Sequence, residues 1–465
     1  MALDLAGFLE AERANVLAFD EPVDLVHEMT AVQHELDAHG EFPVLLFRQP
    51  RRSDGSLSEI PVVNNLTASR ELVARALGIA DHRRCAEEFA RRTGDGIAPV
   101  MVGRANSPVQ ELVFEAGAAD LGSLPVLTQH ELEPGPYLTA AHATTVDPDS
   151  GVDNTAIQRC WVLGPRRMTW FPYPSSHNAR NLHAWWRRGE PCPVAFWIGH
   201  HPAVVIGTQA KLGHPESHWR AAGGVVGAPL RLVPSITHGE RLCVPADAEI
   251  VIEGWAQPQD WHDDGPFGEY TGYLGPRTRA MIVEVSCLTR RRQALYHDYG
   301  SGLIDMLVPD NVAMEGKLYS LVKPVAPSLQ NVHVPTSGRR FHAVLQLRDP
   351  APGEVRDALL SALAYRRVKA VVAVDFDVDL FSAEQVLWAI ATRVQWSRDA
   401  LIVDGLSTSL LDPSLDEGAR TASKLGLDAT RPTAVGAVTA GVPVATVPAE
   451  AIARARALLA RVDID

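Results

Sequence analysis

The sequence predicts a multidomain protein of α/β and α+β class, with an α/β region at each end and a sheet-rich middle that reads as a barrel. Three observations carry this. Residues 1–110 mix helical and strand periodicity. Residues 111–312 hold recurring short apolar runs separated by Gly, Pro, Asp and His, the pattern of many short strands. Residues 313–465 alternate strand and helix, the signature of a parallel α/β layer. A chain of 465 residues has room for about two to four domains of ~100–200 residues.

Taken in order, Leu5, Phe8 and Leu9 share one face of an opening helix, and FPVLLF (42–47) is a short buried strand. SRELVARALG (69–78) is a helix with Ser69 as its N-cap and Gly78 as its stop. The charged CAEEFARRTGDG (85–96) fades into a loop. In the middle, NTAIQRCWVLG, RMTWFPYP, PVAFWIG, AVVIGTQ, LRLVPS, EIVIEGW, MIVEVSCLT and ALYHDY are the expected sheet segments. Beyond them RFHAVLQL, VKAVVAVDF and LIVDG read as strands, and VRDALLSALAY and SAEQVLWAIATRVQ as helices. Ser382 and Gln385 have the spacing of a capping box. DFDVD (375–379) begins like a calcium loop, but Leu380 stands where a glycine is needed and Val386 where a glutamate is, so it reads as a strand end. SKLGLDAT (423–430) reads as a loop carrying one lysine.

Composition narrows the function. Apolar residues are 46% and charged residues 21%, ordinary for a globular protein. Net charge is 43 − 56 = −13, and such an acidic surface repels phosphate backbones, which argues against a nucleic-acid partner. Five scattered cysteines with no C-x-x-C fit reduced thiols in a cytoplasmic protein. The acidic amphipathic start is not a signal peptide, and no apolar run approaches the ~20 residues that span a bilayer. AAGGVVG matches neither the dinucleotide nor the P-loop fingerprint, and no G-x-S-x-G elbow occurs.

The chemistry concentrates in DDGPFGEYTGYLG (263–275), where Asp264 and Glu269 bracket a Gly-Pro-Phe-Gly turn. A lone pair of this kind is often a turn with both acids in water. Here Pro266 and the glycines fix the turn, and Phe267, Tyr270 and Tyr273 would raise a buried carboxyl pKa by desolvation. A proton donor near neutral pH needs that. Arg159, in DNTAIQRCW, is the candidate cation to answer the acids, although most arginines in such a setting are solvated. His177 closes FPYPSSH, and HPESHW supplies His214, Glu216 and His218, which read either as metal ligands or as a solvated helix start.

Together these stretches resemble the UbiD family of prenylated-FMN decarboxylases over nearly the whole chain. The resemblance rests on the Asn154/Arg159 pair, CVPADAEIVIEG (243–254), DDGPFGEYTGY (263–273), WAIATRVQWSRDALIVD (388–404) and SKLGLDAT, in that order and spacing. It implies an N-terminal α/β domain, a central split β-barrel that binds the flavin, and a C-terminal α/β domain that oligomerises. It further implies reversible, non-oxidative decarboxylation of an aromatic, heteroaromatic or α,β-unsaturated acid, because an electrophilic modified flavin can store the electron density that CO2 leaves behind. By the resemblance, Arg159, Glu269 and Asp264 match the arginine, the protonating acid and the second acid of the family network. Asn154 and His177 match two ligands of a divalent metal, typically manganese, that holds the cofactor phosphate, with potassium as an optional further cation. Ile157, Gln158, Arg159, Ser175, Ser176 and Lys424 fall where the family lines the cofactor. Asp264 is a methylene shorter than the usual glutamate. The third metal ligand, normally Glu, falls on His218, with Glu216 two residues out of register. The implied partners are a small carboxylic acid, a flavin prenyltransferase that supplies the cofactor, and further copies of the chain; a membrane is not among them.

Two other functions fit the flavin reading. An ordinary FMN oxidoreductase would let a nicotinamide cofactor reduce the flavin. A non-catalytic flavin or metal carrier would tolerate loss of Glu269. His333, in NVHVPTSG, falls on a segment that approaches the substrate in the family, which suggests a polar or heteroaromatic acid.

Overall fold

The computed structural model describes residues 3–431 and 443–461, so parts of the C-terminal region drawn at 313–465 and the first two residues lie outside the described residues. The opening helix, Leu5–Ala11, is capped by the Asp4 side chain and buries Leu5 and Phe8. The strand expected at FPVLLF is Val44–Arg51. It pairs in parallel with Val16–Asp24 and antiparallel with Val62–Asn64. The fourth strand of this sheet is Tyr296–His297, part of ALYHDY, which comes from far along the chain. Ser69 caps Arg70–Ala76 by accepting from Leu72 N, and Gly78 follows at φ +62°. CAEEFARRTGDG does not fade into a loop. It is the helix Cys85–Asp95, because Cys85, Ala86 and Phe89 form an apolar stripe at helical spacing, and that stripe is buried.

The middle holds one nine-stranded antiparallel sheet that curls into a half-barrel. Its order is Tyr137–Leu138, Cys160–Gly164, Arg167–Trp170, Thr278–Arg290, Ile250–Asp264, Cys192–Ile198, His142–Val146 and Asp153–Ile157, with Leu112–Glu115 added on Thr278–Arg290. Trp170, Phe196, Ile252 and Val283 of this sheet are buried in one apolar cluster. AVVIGTQ is not a strand. It is the fully buried helix Pro202–Gly207, with proline at its first position and His201 accepting from Ala203 N. A short apolar run buried all round cannot be told from a buried strand by periodicity.

The long helix Ile304–Val322 has no counterpart in the periodicity reading, because it is buried on nearly every face and carries no amphipathic signal. The boundary drawn at residue 312 falls inside it. Beyond it lies a five-stranded sheet, ordered Leu329–His333, His342–Leu347, Ala370–Asp375, Thr421–Ala429 and Ala400–Ser407. Its three central strands are parallel and both edges antiparallel, so the layer is mixed. SKLGLDAT is therefore not a loop but the strand Thr421–Ala429, between two others. Gly426 there lets Leu359 of the helix Glu354–Leu363 approach; a Cβ would lie 3.3 Å from the Leu359 Cβ. Ser382 caps Ala383–Arg393, while the Gln385 side chain accepts from Asp379 N instead of closing a capping box. Among the described residues no helix is long and apolar enough to cross a membrane.

Candidate active site

Arg159 sits in the two-residue link between the strands Asp153–Ile157 and Cys160–Gly164, which do not pair with each other but lie toward opposite ends of the sheet order. Gln158 beside it is fixed by the Trp170 indole at 2.6 Å and the Asn178 amide at 3.0 Å. Ile157 packs against the apolar cluster that holds Trp197 and Tyr299. The Arg159 guanidinium then does what the acid pair demands. Nε and Nη2 donate to Asp264 Oδ2 at 3.1 and 2.9 Å, and Nη1 donates to Glu269 Oε1 at 2.5 Å. Asp264 thus reaches Arg159 despite its shorter side chain. Thr169 Oγ1 (2.8 Å) and Tyr137 OH (3.4 Å) donate to its other oxygen. Phe267 lies under the guanidinium, 5.0 Å from its carbon.

The turn explains how the acids are held. Asp264 ends the strand Ile250–Asp264, paired with Thr278 across the sheet. Gly265 at φ +91° then breaks the strand, and Phe267–Gly268 pairs with Leu274–Gly275 in a small hairpin. A side chain on Gly268 would strike the His130 imidazole, and a Cβ on Gly275 would sit 3.0 Å from Glu269 Cγ. The glycines therefore let the hairpin press Glu269 inward, where it is 7% exposed. Burial raises its pKa above the ordinary carboxyl value; Arg159 and Arg340 oppose the rise and Asp264 adds to it. Phe267 and Tyr270, its neighbours in the hairpin, are buried with it; Tyr273 is not, at 65% exposed.

A second cluster lies on neighbouring elements. Asn154 is buried on its strand and donates to Asn178 Oδ1 at 2.6 Å, which leaves its carbonyl oxygen as the atom to offer a cation. His177 opens the helix His177–Arg187, capped by Ser176. His218 opens the helix His218–Val226, capped by Ser217, and its ring centre is 6.2 Å from that of His177. The His218 ring is buried and its Nδ1 has no partner among the described residues. Burial holds its pKa down at about 3, so it is neutral, as a ligating imidazole must be. Glu216 is exposed, yet close enough to favour the charged form of His177, although burial comes first and lowers that pKa overall. His214, the third histidine of the stretch, binds Asp147 at 3.0 Å. AAGGVVG has a packing use here. A Cβ on Gly224 would meet the Arg92 carbonyl and lie 2.8 Å from Gly96 N, so these glycines seat the helix that presents His218. Among the described residues no three His, Cys, Asp or Glu side chains form a metal-binding group. A donor set here would need a neutral oxygen such as that of the Asn154 amide, and an orphaned buried imidazole on the neighbouring helix is of the right chemistry for a cation.

Ser175 accepts a hydrogen bond from Arg366, whose guanidinium lies 4.7 Å from the Tyr173 ring centre. Lys424 is 1% exposed, and its ammonium donates to the carbonyls of Leu363 (2.9 Å), Tyr365 (3.0 Å) and Arg366 (3.4 Å). It braces the loop that carries Arg366. His333 is not brought to the acids; its Nδ1 bonds Glu315 at 2.9 Å, and Glu315 pairs with Arg70. The residues that do approach the Glu269 turn are Arg339, beside Gly272, and Arg340, whose charge favours the ionised form of Glu269. Arg339 donates to Gly302 O, and Arg340 lies 4.8 Å from the centre of the Tyr270 ring. With Arg367, Lys211 and Asp310 they went unread. The two Arg-Arg pairs, 339–340 and 366–367, were the available signal.

Three family models match the chain, described as the 3-octaprenyl-4-hydroxybenzoate carboxy-lyase N-terminal domain (residues 9–93), Rift-related domain (100–303) and C-terminal domain (311–429). The chain belongs to the UbiD family. It is a carboxy-lyase of that class. Among solved structures it is similar to the UbiD-class enzyme HmfF from Pelotomaculum thermopropionicum in complex with FMN, at 34% identity, 96% coverage of both chains and a TM-score of 0.87. An evolved dimeric form of that HmfF with prFMN matches at 32% identity, over 96% of this chain and 97% of that one, with a TM-score of 0.85. The apo 3,4-dihydroxybenzoic acid decarboxylase of Enterobacter cloacae matches at 25% identity, over 97% and 99%, with a TM-score of 0.87.

Proposed function

We propose that this UbiD-family protein catalyses reversible, non-oxidative decarboxylation of an aromatic, heteroaromatic or α,β-unsaturated carboxylic acid with prenylated FMN, and that Glu269 donates the proton that replaces CO2. The observation that carries the reading is one buried guanidinium shared by two carboxylates, Arg159 between Asp264 and Glu269. When bound, prenylated FMN supplies the electron sink that no side chain offers. Arg159 orients the substrate carboxylate and steadies Glu269 when it is ionised. Asp264, held by Thr169 and Tyr137, keeps Arg159 in place. Burial raises the Glu269 pKa and keeps its proton available to carbon.

Asn154, His177 and His218, with Glu216 as the alternative third ligand, would hold a divalent cation of the Mn2+ kind against the cofactor phosphate, with K+ as a further cation. Gln158, Ile157, Ser175 and Ser176 would line the flavin, and Lys424 would act through the loop it braces. The working division is 1–110, 111–312 and 313–465. In this reading the chain works as a cytoplasmic homo-oligomer and takes its cofactor from a flavin prenyltransferase. The test is co-expression with such a prenyltransferase, followed by a screen of aryl and acrylic acids for CO2 release and for deuterium entry into products in D2O. A flavin-loaded protein inert toward the whole panel, but whose flavin a nicotinamide cofactor reduces, would be an oxidoreductase instead.

A further inference from the structure

The turn at 265–268 sets the spacing of the two acids, and the segment 130–137 grips it at both ends. Gly265 N donates to Tyr137 OH at 3.0 Å, and Gly268 N donates to Glu133 Oε1 at 3.2 Å. The Tyr137 ring also lies 4.7 Å from that of Phe267. Glu133 is 7% exposed, and its Oε2 accepts from Gln129 N at 3.0 Å and His130 N at 3.1 Å. All three donors are backbone N–H groups, so the carboxylate is spent on holding chain in place. Hydrogen bonds to an ionised acceptor are roughly twice as strong as neutral ones.

His130 supplies a second grip. A Cβ on Gly268 would lie 2.3 Å from His130 Nε2, so the imidazole fills the space a side chain there would take. The same Nε2 is 3.1 Å from Ser301 O. Gln129 continues the tie: its Oε1 accepts from Ser301 N and its amide donates to Tyr299 O, both at 2.7 Å. Gly302, in the same loop, comes so close that a Cβ on it would lie 3.0 Å from Glu269 O. Residues 129–133 are thus wedged between the loop at 299–302 and the hairpin that carries Glu269. Bonds within the hairpin, Glu269 N to Tyr273 O and Gly272 N to Glu269 O, fix its tip but not its seat. Arg159 is bound to Asp264 without help from Glu133 or His130.

We infer that Glu133 and His130 are positioning residues for Glu269, holding Gly268 so that the acid meets Arg159 and the reacting carbon in one place. This rests on the reading of Glu269 as the proton donor. Neither side chain bonds Arg159 or the Glu269 carboxyl, so both act through the backbone of Gly268. A glycine there lets the hairpin sit close, but it brings no side chain of its own to pin the chain. The wedge supplies that restraint from outside. Proton delivery to carbon needs the donor within hydrogen-bond reach of its target. A misplacement of about 1 Å costs on the order of 10²-fold in rate.

The experiment compares flavin-loaded wild type with Glu133→Ala, Glu133→Gln and His130→Ala. Hydrogen exchange at the Gly268 amide, read by mass spectrometry, should quicken about 10-fold or more in Glu133→Ala. Glu133→Gln keeps an acceptor oxygen and should fall between it and the wild type. With an accepted acid, kcat for CO2 release should drop about 10–100-fold in Glu133→Ala, with KM within about threefold and flavin content unchanged. His130→Ala should lower kcat in the same direction. The alkaline limb of the rate profile should also move to lower pH in Glu133→Ala. A looser hairpin relieves the burial that raises the Glu269 pKa, while Arg159, Arg340 and Arg367 still favour its ionised form and Asp264 still opposes them. Unchanged exchange at Gly268 overturns the inference, as does faster exchange with wild-type kcat. Equal losses of kcat and flavin in both Glu133 variants make the wedge a matter of folding alone, which also overturns it. A wild type inert toward every acid, with exchange raised as expected, leaves the wedge standing and counts against the decarboxylase reading.

Discussion

Replacing Glu269 by Gln isolates the proton from everything else at the site. Gln has the same shape and still offers an oxygen to Arg159 Nη1, now 2.5 Å from the carboxylate. Arg159 keeps both bonds to Asp264, at 3.1 and 2.9 Å, so the guanidinium stays anchored. The hairpin is untouched, because Glu269 N still donates to Tyr273 O and Gly272 N to Glu269 O. What disappears is an acid able to release a proton near neutral pH. A positioned acid contributes ~10²–10⁴-fold in rate, or about 3–5 kcal/mol of barrier. Turnover, followed as CO2 release, should fall by that factor, with flavin absorbance and thermal midpoint close to wild type. Deuterium entry into product in D2O should fall in step, because it uses the same proton. Asp264→Asn should cost less, since Thr169 and Tyr137 still hold that position. If Glu269→Gln turns over and exchanges at the wild-type rate, the proton comes from another group and the shared-guanidinium reading is wrong.

Three further outcomes follow from other residues. His177→Ala should lower flavin retention, and chelation of divalent metal from the wild type should reproduce the loss; unchanged occupancy in both would remove the cation from this site. Lys424→Met strips the donor from the Leu363, Tyr365 and Arg366 carbonyls and should lower stability by about 2–4 kcal/mol, read as the urea midpoint; an unmoved midpoint would contradict the brace. Asp305 is raised to about 7 by burial, with Asp37 adding to the rise. A raised carboxyl pKa stabilises the fold fully below its unfolded value and loses that contribution as pH rises through the folded one. The contribution of Asp305 should therefore decline from about pH 4 to just above pH 7, so the stability of the wild type relative to Asp305→Asn should fall across that window in melts. A difference that grows with pH would refute the assignment.

The two α/β ends and the curled middle were legible because capped helices and short apolar strands set between turns mark the sequence, as at Ser69–Ala76 and Ile250–Asp264. Helices buried on nearly every side were not. Pro202–Gly207 passed for a strand, and Ile304–Val322 left no stripe to find. The strand around Lys424 was hidden by a glycine and a buried lysine, both of which local propensity assigns to loops. At the site, motif spacing brought out Arg159, Asp264 and Glu269, which meet over separations of 105 and 110 residues. The cations around Asp310 had no motif. Their meeting depends on four distant segments, and only the folded chain brings these together.

The sheet that begins the chain is completed by Tyr296–His297, and this bears on how the protein emerges from a ribosome. Until that strand appears, Val62–Asn64 presents an open edge of unpaired amides. The roughly 230 intervening residues take on the order of 10–50 s at ~5–20 residues per second. For that interval the leading segment is an unfinished template that a neighbouring nascent chain could extend. A fragment cut before residue 296 would keep that edge permanently, so the first hundred residues should be sticky on their own, and soluble only once the middle of the chain has been made.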